Sequence, residues 1–277
     1  MRFLIIPIES GGGGCAGGCG CLVLLVIIGA IGSCIDKFFV EPERRAAWVA
    51  TQQAEKERDD EKIRSAASVG AVDLDVELKQ SGFPLNRIGS NGLKDLTQFG
   101  NVQLKNDLQR ATDELPRAEE DYKRANAINQ PDIQPRISEA QAKIRKIQSQ
   151  IEAAQTKIAQ TKYIRRGYEY STLNEQRDGN KSSCTIRIHT IINGGFANTK
   201  VSFSVPDVTL VGKMENRGSY RDTYIEFFAS GSTESLKELV NNTNSYKATM
   251  LFQNTRYNSN RDSVEADILE ISIGKAQ

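Results

Sequence analysis

One uncharged apolar run constrains this chain of 277 residues more than any other feature. Residues 21–35 carry no charge, and the glycine-rich stretch before them extends the uncharged region to the roughly 20 residues that cross a hydrocarbon core as a helix. The sequence after Asp36 is polar and heavily charged. The run therefore predicts a transmembrane helix at 15–35, preceded by a glycine-rich N-terminal tail at 1–14.

A second interpretation of this region is a lipoprotein signal. Ile31-Gly32-Ser33-Cys34 resembles the lipobox of bacterial lipoproteins, in which the cysteine is lipidated and becomes the new N-terminus. However, the region before the apolar run is long and has only Arg2 as a basic side chain, whereas a signal peptide has a compact basic region. We expect a retained signal anchor, with the soluble part of a single-pass cell-membrane protein outside the cytoplasm. Cys34 is the candidate lipidation site of the alternative.

Cysteine content and composition restrict how the soluble part can be stabilised and how compact it can be. Four of the five cysteines lie in or beside the apolar run, and only Cys184 lies beyond it, so no intrachain disulfide can stabilise the soluble part. Charged residues make up 26% of the chain and the formal net charge is +1. This composition favours an elongated protein over one large compact core.

Two segments follow the predicted anchor. Residues 36–70 are rich in alanine, glutamine and charged residues and predict a solvated helical stalk that begins near Pro42. Residues 71–100 predict a strand and loops. Alternation over 72–78 is typical of a half-buried strand, and several glycines then interrupt the pattern around a short helix.

Residues 101–166 carry the strongest periodic pattern. Apolar residues recur at heptad spacing in two stretches, and the segment 129–135 between them contains two prolines that favour a turn. The pattern predicts a long antiparallel coiled-coil hairpin, about 40 Å in length at 1.5 Å per residue. The predicted seam residues are Leu104, Leu108 and Leu115 on the first helix and Ile137, Ile144, Ile147, Ile151 and Ile158 on the second.

Residues 167–277 change to an alternating pattern. Six runs rich in β-forming residues are separated by Gly, Asn, Ser and Asp clusters, and a helix is predicted at 232–240 with Ser232 or Thr233 as its N-cap. A small β-barrel or sandwich follows from this pattern, and the order of its elements is similar to that of an OB-fold. The predicted fold class is therefore α+β, with a transmembrane helix, a helical hairpin and a C-terminal β domain.

The sequence offers no grouping of catalytic or metal-binding residues. His189 is the only histidine and lies within an alternating run, where a solvent-facing histidine is the simpler interpretation. Asn193-Gly194-Gly195 lacks the lysine and the helix start of a phosphate loop and predicts a hairpin turn. We therefore expect no enzyme activity, no cofactor, no metal and no small-molecule substrate.

Nucleic-acid binding is the other interpretation that an OB-like domain raises. Several aromatic residues and arginines of the β domain could stack on bases and contact phosphates. The domain nevertheless has nearly equal numbers of acidic and basic residues, so it lacks the electrostatic attraction that supplies most nonspecific affinity. Nucleic acid is not the favoured partner.

The order of anchor, stalk, hairpin and β domain is similar to that of periplasmic adaptor proteins, in which a hairpin projects from β domains to reach a partner. The residues at 163–170 lack the lipoyl-like second half that the family shows after its hairpin, so no binding residues are carried over. The leading hypothesis is a non-catalytic, membrane-anchored scaffold or interaction protein. Its coiled coil would act as a spacer, and its β domain would bind a protein partner or a second copy. The alternatives are an adaptor-like subunit of an export system and a lipid-anchored lipoprotein.

Overall fold

The structure is a computed structural model that describes residues 41–83, 90–219 and 222–275. Within these ranges the chain forms six helices and ten strands, so the fold is α+β. The helices are α1 (Glu41–Ala67), α2 (Leu74–Gln80), α3 (Ser90–Phe99), α4 (Val102–Arg124), α5 (Gln130–Gln160) and α6 (Thr233–Asn241). The strands are β1 (Val72–Asp73), β2 (Tyr163–Tyr168), β3 (Tyr170–Asp178), β4 (Lys181–His189), β5 (Asn193–Gly195), β6 (Lys200–Phe203), β7 (Thr209–Ser219), β8 (Asp222–Ser232), β9 (Tyr246–Asn258) and β10 (Ser263–Lys275).

The chain divides into two compact units, Met1–Asp59 and Asp60–Gln277. In the first unit the structure describes the beginning of α1, whose side chains are largely exposed; Trp48 is 65% exposed. Alanine, glutamine, glutamate, lysine and arginine dominate this helix, and these residues have high intrinsic helix propensity. Both sheets lie in the second unit.

The larger sheet, called sheet A, has six strands. Their order is β1-β2-β9-β10-β5, and β6 also pairs with β10. β9 and β10 form a long antiparallel pair at its centre, because two alternating runs of 13 residues are joined by a short turn. Ala248, Met250 and Phe252 point into the core, and the residues between them lie on the opposite face of the sheet.

The smaller sheet, called sheet B, has four antiparallel strands in the order β3-β4-β8-β7. Ile186 on β4 and Phe227 on β8 are fully buried on its inner face. α6 follows β8 directly, since the Ser232 hydroxyl accepts a hydrogen bond from the Ser235 amide at 3.3 Å and caps the helix. The predicted helix at 232–240 is confirmed within one residue at each end.

The two sheets share one apolar core. Phe203 on β6 and Phe227 on β8 contribute rings whose centroids lie 6.4 Å apart, so the inner faces of both sheets meet directly. α2 and α3 add Leu78 and Leu93 to the same cluster, and Ile158 joins it from the end of α5. Helices that lie between β1 and β2 in the sequence are therefore part of the same hydrophobic core.

The strand predicted over 72–78 ends after two residues. The Asp73 carboxylate accepts hydrogen bonds from the amides of Asp75 and Val76 at 3.1 and 3.3 Å, which caps α2 and begins a helix instead. Leu74, Val76 and Leu78 are all buried on this short helix. Three alternating apolar residues fit a strand or a short helix, and the capping by Asp73 favours the helix.

The prediction of a long coiled-coil hairpin is wrong. α4 and α5 are adjacent and antiparallel, but their lengths differ and the residues that α4 buries are only Ala111 and Ala118. α5 also packs on α3 and β9, so its isoleucines serve the globular core as well as the neighbouring helix. The predicted turn at 129–135 lies mostly within α5, whose first turns accommodate Pro131 and Pro135.

The predicted β-barrel with OB-like strand order is also wrong. An OB-fold closes five strands into one barrel, whereas the strands here divide between two sheets. β1 and most of β2 extend sheet A from residues that precede the predicted β domain, because β2 pairs with β9. The predicted fold class is thus corrected to an α+β fold with two sheets and a shared core.

The predicted single-pass membrane localisation is contradicted. Among the described residues, no helix combines the length and the apolar character needed to cross a membrane. The predicted span at 15–35 and the candidate lipidation site Cys34 lie outside the described residues. The cell-membrane localisation and the signal-anchor interpretation are therefore corrected.

Candidate functional site

A groove of about 740 Å³ lies on the outer face of sheet A. Its floor consists of small side chains that the strand pairing places side by side: Thr249 of β9 faces Ser272 of β10, which in turn faces Ser202 of β6. In the next row Lys247 faces Gly274. Because these neighbouring strands present short side chains on one face, the sheet surface is hollow at this point.

The end of α1 forms one wall of the groove. Gly70, with a φ of +66°, lets the chain reverse there, and the amides of Gly70 and Ala71 donate to the carbonyls of Ala67 and Ala66. Ala66 is buried against Ile164 and Leu251 of sheet A. The helix end is therefore fixed on the sheet, and Ser65, Ser68 and Val69 face the groove.

Arg166 connects this wall to the neighbouring strand. Its Nη2 donates to the Ser65 hydroxyl at 2.8 Å, and its Nη1 lies 3.4 Å from the Asp73 carboxylate. Asp73 is 5% exposed and also caps α2. Because Arg166 is engaged on both sides, it holds the wall in place and its charge is already balanced.

The other charged side chains that line the groove form weak ion pairs or none among the described residues. Lys275 and Glu270 line it, and neither has an ion-pair partner among the described residues. Lys247 lies 3.7 Å from Glu169, whose side chain is 79% exposed, and such a pair contributes little. Two lysines thus lie at one end of the groove, and Glu270 lies toward the other.

The outer face of sheet B provides a contrast. The Glu226 carboxylate accepts a hydrogen bond from Arg187 Nε at 2.7 Å and lies 3.7 Å from Arg217 Nε. Arg187 also lies over the Tyr224 ring, 4.7 Å from its centroid. Beside this network Phe228 and Val211 are each 49% exposed, and the hollow there measures only about 210 Å³. These charges are paired with one another rather than available to a ligand.

Neither Cys184 nor His189 lies in a reactive arrangement. Cys184 is buried on β4, and burial raises the pKa of its thiol from 9.0 to about 11, so the thiol stays protonated at neutral pH. His189 is exposed at the end of the same strand, with its ring centroid 6.2 Å from that of Tyr224. No group of three or more histidine, cysteine, aspartate or glutamate side chains that could hold a metal occurs among residues 41–83, 90–219 and 222–275.

The predicted seam residues lie away from the groove. Ile147 and Ile151 are buried with Ala111, and the half-buried Leu104, Leu108 and Ile144 pack against them together with Phe99 of α3. Ile137 is buried further along α5, Leu115 is half-buried on α4, and Ile158 belongs to the main core. These residues pack the helices and do not converge on a binding surface.

Sequence reasoning missed the groove altogether. Thr249 and Ser272 fall within runs that were identified as strands, but on the faces that the pattern assigns to solvent, and Gly274 directly follows the second run. The available signal was the cluster of small residues at these outward positions. Its meaning depends on the register between β9, β10 and β6, which the sequence does not specify.

Comparisons with known proteins gave no match: no protein-family model, curated protein or solved structure matches this chain.

Proposed function

We propose that this protein is a non-catalytic interaction protein and that the groove on sheet A binds a protein partner. The floor of small side chains carries the proposal, because it leaves room on a rigid sheet for side chains of another molecule. The groove measures about 740 Å³, which leaves room for several side chains of a partner. The fixed end of α1 supports a preformed site, since its wall need not be ordered on binding.

The chemistry of the described residues supports a role without catalysis. Nucleophilic catalysis needs a nucleophile within hydrogen-bonding distance of a base. Cys184 and His189 lie five positions apart on one strand, about 16 Å at the rise of a β-strand, and their side chains point to opposite faces. The burial that raises the pKa of Cys184 also disfavours the thiolate that a nucleophile requires.

The export-adaptor alternative has no support of its own. It depended on a membrane anchor and a coiled-coil hairpin, and both predictions are corrected above. Partner binding at the groove needs neither feature. A second copy of this chain is one partner that the proposal includes.

Site-specific photo-crosslinking tests the proposal. A photoreactive amino acid replaces Ser272 in the groove of the full chain, and a control chain carries it at Val211, which is exposed on sheet B. We expect a discrete crosslinked band from position 272 and none from position 211. A band of twice the chain mass would identify the partner as a second copy.

A filled groove provides the matched control. A side chain added at Gly274 would have ordinary contacts with Ser204, whose Cβ lies 3.7 Å from the new Cβ, so Gly274→Phe fills the hollow without backbone strain. The crosslink from position 272 should disappear in this variant while its thermal melting stays cooperative. Crosslinking that persists, or that occurs from Val211 alone, would refute the groove as the binding site.

A further inference from the structure

We infer that the partner presents to the groove a short peptide segment with carboxylates at one end, which lie against Lys247 and Lys275. This inference rests on the proposed function and adds the chemistry of the bound segment. It follows from the charges that the structure leaves available in the groove and from their positions along β9 and β10.

The available positive charge lies at one end. Arg166 is engaged by Asp73 and Ser65, so it adds little net attraction. Among the described residues, the ion partner of Lys247 is Glu169, at 3.7 Å, and because Glu169 is exposed, a ligand carboxylate can replace it at small cost. Lys275, which is exposed at the end of β10, also lines the groove. The two lysines therefore give this end of the groove a positive charge.

The opposite end has different chemistry. Glu270 faces Leu251, which in turn faces Ile164 of β2. Glu270 and Gly274 lie four positions apart along β10, about 13 Å at 3.3 Å per residue. Lys200 of β6 faces Glu270 in the strand pairing, so this end lacks the excess positive charge of the other, and a small apolar side chain would fit beside Leu251 and Ile164. The groove thus favours a segment of about four to six extended residues with its acidic side chains at one end.

The floor between the two ends suits a peptide. Thr249, Ser272 and Ser202 present hydroxyl groups that can donate to carbonyls or accept from amides. Apolar side chains also line the groove, namely Val69, Ile164, Phe203, Leu251 and Ile273. A peptide that combines acidic and apolar side chains would therefore use both the hydroxyl groups and these residues.

Panning a random dodecapeptide phage library on the full chain tests the inference. Phage are counter-selected on Gly274→Phe, so that only peptides that need the open groove are kept. We expect aspartate and glutamate to be enriched over the unselected library and to cluster at one end of the recovered sequences. The enrichment should disappear when the panning uses the double variant Lys247→Gln/Lys275→Gln.

Two sheet B lysines supply the matched control. Lys181 and Lys213 are exposed, and the double variant Lys181→Gln/Lys213→Gln removes the same net charge from the other sheet. A recovered peptide labelled with fluorescein should bind this variant as it binds the unmodified protein, and about three- to tenfold more weakly to Lys247→Gln/Lys275→Gln, as expected for two lost exposed ion pairs. All variants are first compared by thermal melting.

The outcomes separate the two proposals. Groove-dependent peptides without acidic enrichment, or equal binding to both lysine variants, would overturn the inference and leave partner binding at the groove intact. If no groove-dependent peptide is recovered and no crosslink forms from position 272, the proposed function and the inference both fail. Acidic peptides that lose affinity only with Lys247 and Lys275 would support both.

Discussion

The outer faces of the two sheets are built from similar residue types and differ in how their charges are used. On sheet B, Glu226 is 15% exposed and is held by Arg187 and Arg217. On sheet A, Glu270 and Lys275 line a groove without an ion-pair partner in the described part of the chain. Charges paired within the protein contribute to its own stability, whereas unpaired charges beside a hollow are available to another molecule. The contrast distinguishes a face whose charges pair with one another from the face that we propose as the binding site.

Replacing Asp73 should have the largest effect on stability, because this residue supports the wall of the groove. Asp73→Ala removes the cap of α2 and leaves Arg166 without its carboxylate partner. We expect the free energy of unfolding to fall by about 2 to 3 kcal/mol. Urea denaturation followed by circular dichroism measures this change. A loss below about 0.5 kcal/mol would show that the wall does not depend on the cap.

Two matched glutamate substitutions test the contrast itself. Glu226→Gln removes the charge that pairs with Arg187 and Arg217 and should cost about 1.5 kcal/mol. Glu270→Gln changes a residue that has no ion partner within the described part of the chain and should alter stability by less than about 0.5 kcal/mol. Denaturation of both variants under identical conditions provides the comparison. Equal losses would mean that the two faces do not differ as described.

Alkaline pH should act first through sheet B. Burial raises the pKa of Cys184 from 9.0 to about 11, so the unfolded chain loses this proton at lower pH than the folded protein does. The stabilisation is complete below pH 9 and is lost as the pH rises toward 11, on the order of 1 kcal/mol between pH 8 and pH 10.

The pH dependence of thermal melting measures this loss, and Cys184→Ala is the matched variant. Its melting temperature should fall less between pH 8 and pH 10 than that of the unmodified protein. In sheet A, burial raises the pKa of Tyr163 and Tyr168 above the ordinary value of 10.0, so these residues contribute the same sign of effect only above pH 10. Identical slopes for the two proteins would rule out a contribution from Cys184.

The smallest expected effect concerns the groove floor. Gly274→Ala adds a methyl group in ordinary contact with Ser204 and removes a glycine from a strand interior. We expect a change in stability within about 0.5 kcal/mol, while Gly274→Phe fills the groove and Gly274→Ala leaves it open. A large destabilisation by alanine would mean that this position is packed and that the groove is narrower than described.

The sequence predicted those elements that a short stretch of neighbouring residues specifies. Alternation identified the long runs that became β9 and β10, and the cap at Ser232 located α6. The pattern failed where one feature fitted two structures. Val72 to Leu78 fits a strand or a short helix, and the heptad isoleucines of α5 fit a coiled coil or a helix packed on a globular core. The groove could not be predicted, because it exists only through the register of Thr249, Ser272 and Ser202.

The parallel pairing of β1 with β2 has a consequence for how the protein folds. Val72 pairs with Tyr163, so helices α2 to α5 must be formed or looped out before these strands can meet. β2 then needs β9, which follows all of sheet B in the sequence. During synthesis, the edge of β2 that pairs with β9 therefore stays exposed until β9 leaves the ribosome. Sheet A is built last although its first strands are made early, and we expect slow folding for that reason.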